Sequence, residues 1–261
     1  MRRMIWRHGV PNVHRSAIWP LLANVLYNQV PEDLLDRYKL ELERAEDSVE
    51  LTIVEEIERD LKRSLPDHHL FKDTRGLSAL KRVLLITSHR NGLHGYTQAM
   101  NMIAAILLIH LPEPVAVEVL SKCTSEWLPD TYSRSMLGGA VDQRVFEETL
   151  CQQFPEKAEM LTKSGDVAII TFGWFVAWFA NLLNIENEVR FFDVFLMEGP
   201  VAIYWFGLAV FRLALSTVSS NDDDDSELLV LAVNDVFKRM KSNKDLFNAV
   251  LYQAFEQYSS K

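Results

Sequence analysis

Apolar residues recur every three or four positions along most of the chain, the spacing of a helix face that packs against a core. Val54, Ile57 and Leu61 form one such stripe, and the runs 102–111 and 246–258 have the length of a helix. Alternating strand patterns bounded by hairpin turns are absent from the sequence. The pattern therefore predicts an almost wholly α-helical protein.

One apolar segment has the length of a membrane span. Val167–Ile185 is nineteen residues long and lacks a formal charge. Asn181 and Asn184 lie inside it, however, and Asp166 and Glu186 bound it closely. We therefore predict a buried helix of a globular core, and a helical membrane-associated protein stays as an alternative.

Composition and charge narrow the classes of partner. The chain has 261 residues, of which 48% are hydrophobic and 24% charged, as in an ordinary soluble domain. Its formal charge of −9 and pI near 5.3 argue against a nucleic-acid partner and against unaided adhesion to an anionic membrane. Cys123 and Cys151 show neither metal-ligand spacing nor a disulfide framework, which suits a reducing cytosol.

Motifs for a resident cofactor are missing. The sequence contains no phosphate-binding loop, no dinucleotide fingerprint and no C-x-x-C pair. His68 and His69 are adjacent, but they lack an evident third metal ligand, and the acidic run 221–226 lacks the staggered oxygens of a calcium loop. We expect no metal or cofactor of the protein's own.

Arg15 and Trp19 stand four residues apart near the start of the chain. On a helix this spacing places a guanidinium over the face of the indole ring. The pattern favours a structural pair over direct participation in chemistry.

The stretch Ile57–Pro66 presents an arginine near the end of a helix. Asp60 and Arg63 are three residues apart, so the carboxylate can orient the guanidinium. Pro66 disfavours the α conformation at Leu65, and we predict that the helix ends there.

A second stretch, Asn91–Asn101, presents a glutamine. Gly92 and Gly95 mark a turn, and Thr97 is predicted to cap the following helix, which puts Gln98 in its first turn. A helix N-terminus favours a neighbouring phosphate. An oriented arginine and a glutamine beside such a terminus are the two groups that GTP hydrolysis requires.

These two stretches carry a family resemblance. The pattern I-x-x-D-x-x-R at Ile57, Asp60 and Arg63, followed by Y-x-Q at Tyr96 and Gln98, resembles the TBC domain of Rab GTPase-activating proteins. Further segments also resemble the family pattern, in chain order Gly9-Val10-Pro11, Arg15, Trp19, Leu128-Pro129-Asp130, Asp142-Gln143, Val145-Phe146, Trp174-Phe175, Arg190, Asp193 and Glu198-Gly199. The resemblance covers nearly the whole chain.

The resemblance implies an all-α fold, with two helical subdomains forming one V-shaped domain over residues 1–261. We expect the first subdomain, 1–163, to carry both catalytic side chains and the second to span 164–261. By the same resemblance, Arg63 is an arginine finger, and Gln98 supplies the water-orienting amide that the GTPase itself usually provides.

Supporting roles follow from the same resemblance. Asp60 would position Arg63, while Tyr96, Asn101 and Ile57 would support the finger residues or contact the GTPase.

Two departures from the family pattern bear on activity. Ala99 stands where the family usually has glycine, and its Cβ lies where a partner's backbone is expected to approach. Ser64 and Leu65 replace the usual threonine and aromatic residue before the proline, which would alter how Arg63 is held.

The expected function is activation of a GTP-bound small GTPase of the Rab family, with GTP and Mg²⁺ carried by that partner. We expect a cytoplasmic protein without a transmembrane segment, peripheral to endomembranes through the Rab alone. The alternative is a non-catalytic Rab-binding scaffold in vesicle trafficking.

Overall fold

The computed structural model describes residues 1–25, 31–92, 95–163, 165–218 and 226–258. Its α-helices are α1 (Arg2–His8), α2 (Asn12–Leu22), α3 (Leu34–Ser48), α4 (Leu51–Leu61), α5 (Thr74–Arg90), α6 (Met100–His110), α7 (Glu113–Ser121), α8 (Leu137–Gln153), α9 (Ala158–Lys163), α10 (Asp166–Ala177), α11 (Ile185–Glu198), α12 (Val201–Leu215), α13 (Ser226–Ser242) and α14 (Lys244–Tyr258). Strands are absent from these ranges, and the prediction of an all-helical chain is confirmed. Residues 221–225 of the acidic run lie outside the described ranges.

The chain divides into two compact units, one formed by Val10–Gly138 and the other by Met1–Gly9 with Gly139–Lys261. The predicted boundary between residues 163 and 164 differs from this division. Phe146 of α8 explains why that helix groups with later ones: its ring lies 5.9 Å from the ring of Trp174 and 5.8 Å from that of Phe211. Contacts between buried aromatic rings thus place most of α8 in the unit that contains Gly139–Lys261.

In the Val10–Gly138 unit, α5 is the central helix and packs against α3, α4, α6 and α7. Two of its arginines fix that packing. Arg82 donates to both carboxylate oxygens of Glu113 on α7 at 2.8 and 2.7 Å. Arg90 pairs with Glu41 on α3 at 2.7 Å and with Glu118 on α7 at 2.8 Å. These half-buried pairs combine charge with hydrogen bonds, the stronger kind of polar contact.

In the other unit, α12 packs against α11, α13 and α14. Gly9 follows α1 and has φ +74°, a conformation that favours glycine. A Cβ at this position would lie 2.7 Å from Arg190 Cδ and 2.8 Å from Asp193 Oδ2, both on α11. Gly9, Arg190 and Asp193, which all belong to the family resemblance, therefore meet here although they are far apart in sequence. Their close approach requires glycine at position 9.

The prediction that Val167–Ile185 is one helix is wrong. Helix α10 ends at Ala177, and Trp178, Phe179 and Asn181 adopt positive φ angles before α11 begins. The side chain of Asn184 caps α11 by accepting a hydrogen bond from the Asn187 amide at 2.9 Å. Within the described ranges, none of the helices combines the length and apolar character that crossing a membrane requires.

Candidate functional site

The arginine lies just beyond the end of α4, which stops at Leu61 rather than at the predicted Leu65. The Asp60 carbonyl accepts hydrogen bonds from the Arg63 amide at 3.1 Å and from Ser64 Oγ at 2.7 Å. These bonds turn the chain before Pro66 is reached, and Leu65 then adopts a left-handed conformation with φ +47°. Arg63 is therefore presented from a turn, with its side chain 56% exposed.

The Asp60 carboxylate joins the arginine to the glutamine segment. It pairs with Arg63 Nη2 at 2.6 Å through Oδ1, and its Oδ2 accepts a hydrogen bond from the Tyr96 hydroxyl at 2.6 Å. Asp60 is only 6% exposed, so these two partners compensate for burying its charge. Burial and the bond to Asp60 raise the pKa of Tyr96 well above its ordinary value, which keeps the hydroxyl protonated and able to donate.

Asn101 forms hydrogen bonds with the turn that presents Arg63. Its Nδ2 donates to Ser64 Oγ at 2.7 Å and lies 3.4 Å from the Asp60 carbonyl oxygen. Asn101 belongs to the first turn of α6 and is 2% exposed. A buried amide with these partners connects the start of α6 to the end of α4.

Gln98 lies in a turn that precedes α6, and the predicted cap is wrong. The helix begins at Met100, and its N-cap is Ala99, with φ +84° and no side-chain cap bond. Thr97 instead donates from Oγ1 to the Tyr132 carbonyl at 3.1 Å. Gln98 is exposed.

Arg63 and Gln98 line one pocket of about 430 Å³, together with Asp60, Tyr96, Glu56 and Arg59. Ile57 does not line it, and its side chain is fully buried. The structure thus brings four of the predicted residues together around this pocket, and Asn101 bonds to the turn that carries Arg63.

Arg15 and Trp19 form the predicted structural pair on α2. The Arg15 guanidinium lies 5.9 Å from the centre of the Trp19 ring, and both side chains are buried. The rings of Trp19 and of His110 on α6 lie nearly perpendicular to each other, with ring centres 4.9 Å apart. The contact between Trp19 and His110 is part of the packing of α2 on α6.

A larger groove of about 910 Å³ shares Glu56, Tyr96 and Gln98 with the pocket, and its lining also includes Glu50 and Arg134. The sequence patterns did not single out Arg134 for this site, because the loop that carries it lacks a periodic signal. Arg59 lines the smaller pocket, and the sequence patterns did not single it out for this site either.

Metal-binding groups of three or more His, Cys, Asp or Glu side chains are not found among the described residues. The rings of His68 and His69 are tilted by 37° with centres 4.5 Å apart, and His68 Nδ1 accepts a hydrogen bond from the Leu70 amide at 3.4 Å. Cys123 is buried, which raises the pKa of its thiol, whereas Cys151 is partly exposed.

Comparison with known families decides what kind of domain carries this pocket. Residues 12–216 match the Rab-GTPase-TBC domain. The chain belongs to the Rab-GTPase-TBC family. That range includes Arg63 and Gln98 with all of their described partners.

Individual relatives agree with this family assignment. A protein of Emericella nidulans, AN11010, described as a candidate GTPase-activating protein, is 34% identical over 226 residues, covering 86% of this chain and 20% of that protein. GTPase-activating protein gyp2 of Schizosaccharomyces pombe is 30% identical over 228 residues, 85% of this chain and 31% of its own length. The chain thus spans about a fifth to a third of the curated relatives it matches.

A solved structure shows the same fold. The crystal structure of the Chlamydomonas flagellar RabGAP TBC domain superposes with a TM-score of 0.76 and covers 97% of this chain and 82% of that one. The two sequences are 23% identical, so this likeness concerns the TBC fold alone.

Proposed function

We propose that this TBC domain accelerates GTP hydrolysis by a Rab-family small GTPase, to which it supplies Arg63 and Gln98 in trans. The observation that carries the proposal is that both side chains line one surface pocket, although they come from separate loops. The GTPase-activating names of two relatives support the same reaction class.

Each side chain has a distinct role in the proposed reaction. Arg63 stabilises the charge that develops on the transferring phosphoryl group, and Asp60 holds one edge of the guanidinium at 2.6 Å. Gln98 places the attacking water. An arginine supplied in trans contributes on the order of 10³–10⁵ in rate, equivalent to about 4–7 kcal/mol of barrier.

GTP and Mg²⁺ belong to the Rab partner in this proposal, and the TBC domain contributes only side chains. The domain acts in the cytoplasm and reaches endomembranes through the Rab. Its formal net charge of −9 is consistent with attachment to an anionic membrane through a protein partner rather than by direct contact.

Single-turnover phosphate release from a panel of GTP-loaded Rabs tests the proposal. Wild type should stimulate at least one Rab, and Arg63→Ala and Gln98→Ala should each lower the maximal stimulated rate by at least about 100-fold. Arg63→Lys should also fail, because an ammonium cannot reproduce the planar fork of a guanidinium.

Two surface variants provide matched controls. Arg37→Ala removes another exposed arginine that pairs with an aspartate, Asp33, at 3.2 Å, and Gln152→Ala removes an exposed glutamine from α8. Both should leave the stimulated rate unchanged. Unchanged stimulation by Arg63→Ala would refute the arginine assignment, whereas wild type that binds Rab–GTP without accelerating hydrolysis would identify a scaffold.

A further inference from the structure

The short segment 95–99 holds Gln98 between α5 and α6, and its neighbours anchor it on one side. Asn91 Nδ2 donates to the Gly95 carbonyl at 3.2 Å, and the Tyr96 hydroxyl donates to Asp60 at 2.6 Å. These bonds connect the segment to the end of α5 and to the end of the arginine-bearing helix, α4.

Thr97 supplies an anchor in a different direction. It is 8% exposed, and its Oγ1 donates to the Tyr132 carbonyl at 3.1 Å. The Thr97 carbonyl accepts a hydrogen bond from the Met100 amide at 3.1 Å. Thr97, which directly precedes Gln98, is therefore held through both its side chain and its backbone. Gln98 is the next residue, and its backbone position depends directly on these contacts.

The acceptor lies in a loop with its own internal bonds. The Asp130 carbonyl accepts from the Gly138 amide at 3.1 Å and from Ser133 Oγ at 2.7 Å. A Cβ at Gly138 would lie 2.6 Å from the Asp130 carbonyl carbon, so the loop closes tightly on itself. Tyr132 is 1% exposed. The carbonyl that Thr97 contacts is therefore a fixed acceptor.

We propose that Thr97 is a positioning residue for GTPase activation: its buried hydroxyl, bonded to the Tyr132 carbonyl, sets the position of the Gln98 amide. The inference rests on the proposed function and adds to it Thr97, the unspecified middle position of the Y-x-Q pattern, to which the family resemblance assigned no role. Thr97 acts through Gln98.

Loss of this anchor should change the rate rather than the binding. Misplacement of a catalytic group by about 1 Å lowers a rate by up to about 100-fold. Thr97 is buried, whereas Gln98 and Arg63 provide exposed surface for the partner. We therefore expect the maximal stimulated rate to fall about 10-fold and the half-saturating concentration to stay within about 2-fold.

Thr97→Val tests the inference, since valine keeps the shape and removes the hydroxyl. Stimulated GTP hydrolysis should be measured as a function of domain concentration, to separate the maximal rate from half-saturation. Thr97→Ser restores a donor and should recover the rate to within about 3-fold of wild type. Thr97→Ala provides a second way to remove the donor if the valine variant does not fold.

A control and a double variant complete the test. Thr171→Val removes another buried threonine hydroxyl, which donates to the Val167 carbonyl at 2.5 Å in the other unit, and should leave the maximal rate unchanged. Thr97→Val combined with Gln98→Ala should be no slower than Gln98→Ala alone, because both changes act on one amide.

The outcomes separate the inference from the proposed function. Active wild type with an unchanged maximal rate in Thr97→Val, or with additive losses in the double variant, would overturn the positioning role alone. Wild type that stimulates no Rab would overturn the proposed function, and the positioning role with it.

Discussion

The Val10–Gly138 unit buries polar side chains that are hydrogen-bonded to one another beside the candidate pocket. The other unit, Met1–Gly9 with Gly139–Lys261, buries aromatic rings in mutual contact. We call them the polar unit and the aromatic unit. Asp60, Ser64 and Asn101 are joined by hydrogen bonds and are at most 6% exposed. Most of the largest fully buried side chains belong to the other unit, namely Trp6, Trp174, Trp178, Phe146, Phe175, Phe179, Phe191, Phe192, Phe195 and Phe206.

The difference shows two ways of fixing a helical fold. Burial of apolar side chains contributes much stability but constrains their orientation only weakly. A buried polar network specifies geometry, because each buried group left without a hydrogen bond costs free energy. The pocket requires two side chains in a defined arrangement. Its supporting residues are accordingly polar, although each bond adds only about 1 kcal/mol to stability.

The largest expected effect on stability belongs to the aromatic unit. Trp174 is 1% exposed, and its ring lies 5.1 Å from that of Phe179 and 5.6 Å from that of Phe211. Trp174→Ala should lower the free energy of unfolding by about 3–5 kcal/mol, through lost burial and the cavity that it leaves. Denaturant unfolding measures this change.

Ile169→Ala is the control for that prediction. Ile169 lies on the same helix and is 76% exposed, so its loss should change stability by at most about 0.5 kcal/mol. Equal effects of the two substitutions would contradict the assignment of stability to the aromatic core.

Glu188 is one of the charged residues buried in the aromatic unit, and it should make stability depend on pH. Its Oε1 accepts from the Asn181 amide at 2.7 Å, whereas its Oε2 has no hydrogen-bond partner among the described residues. Burial raises the pKa of Glu188 from 4.5 to about 7, against smaller lowering effects of the Asn181 amide bond and of Lys241.

The folded state therefore binds more protons than the unfolded state between pH 4.5 and about 7. Stability from this group is fully present below pH 4.5 and is lost as pH rises through 7. The loss is on the order of 3 kcal/mol. Unfolding in urea at pH 5 and pH 8 should show it in wild type, and Glu188→Gln should remove most of the difference.

Glu186→Gln is the matched control, because Glu186 lies on the same helix with a 70% exposed side chain. It should leave the pH dependence of unfolding as in wild type. A Glu188→Gln variant with the same pH dependence as wild type would show that the Glu188 carboxyl is not the group responsible.

The smallest expected effect concerns Ala99 in the polar unit. A residue with a Cβ at φ +84° is strained by about 1–2 kcal/mol relative to glycine. Glycine loses more chain entropy on folding, so Ala99→Gly should raise the free energy of unfolding by no more than about 1 kcal/mol. Ala104→Gly within α6 should have the opposite sign. Thermal unfolding distinguishes the two, and destabilisation by Ala99→Gly would refute the strain.

Much of the fold could be predicted from the sequence, because helical spacing and proline or glycine breaks are local signals. The break after Ala177 could not, since residues 178–181, where the chain leaves the helix, contain no charge, glycine or proline. The grouping of α8 with later helices also depends on long-range aromatic contacts.

The site was predictable to a similar extent. Spacing predicted the Asp60–Arg63 pair, and the predicted helix start singled out Gln98. The family resemblance supplied Tyr96 and the role of Gln98. The bond between Thr97 and Tyr132 joins residues thirty-five positions apart, and local rules instead favoured a helix cap at Thr97. Tertiary contacts outcompeted the local preference there.

The most direct test of the central claim uses a Rab whose own switch glutamine is replaced by alanine. If Gln98 supplies the water-orienting amide in trans, wild-type domain should stimulate phosphate release from this Rab nearly as well as from the unmodified one, within about 10-fold. Gln98→Ala should stimulate neither Rab. Loss of stimulation with the altered Rab, while the unmodified Rab responds normally, would contradict the account.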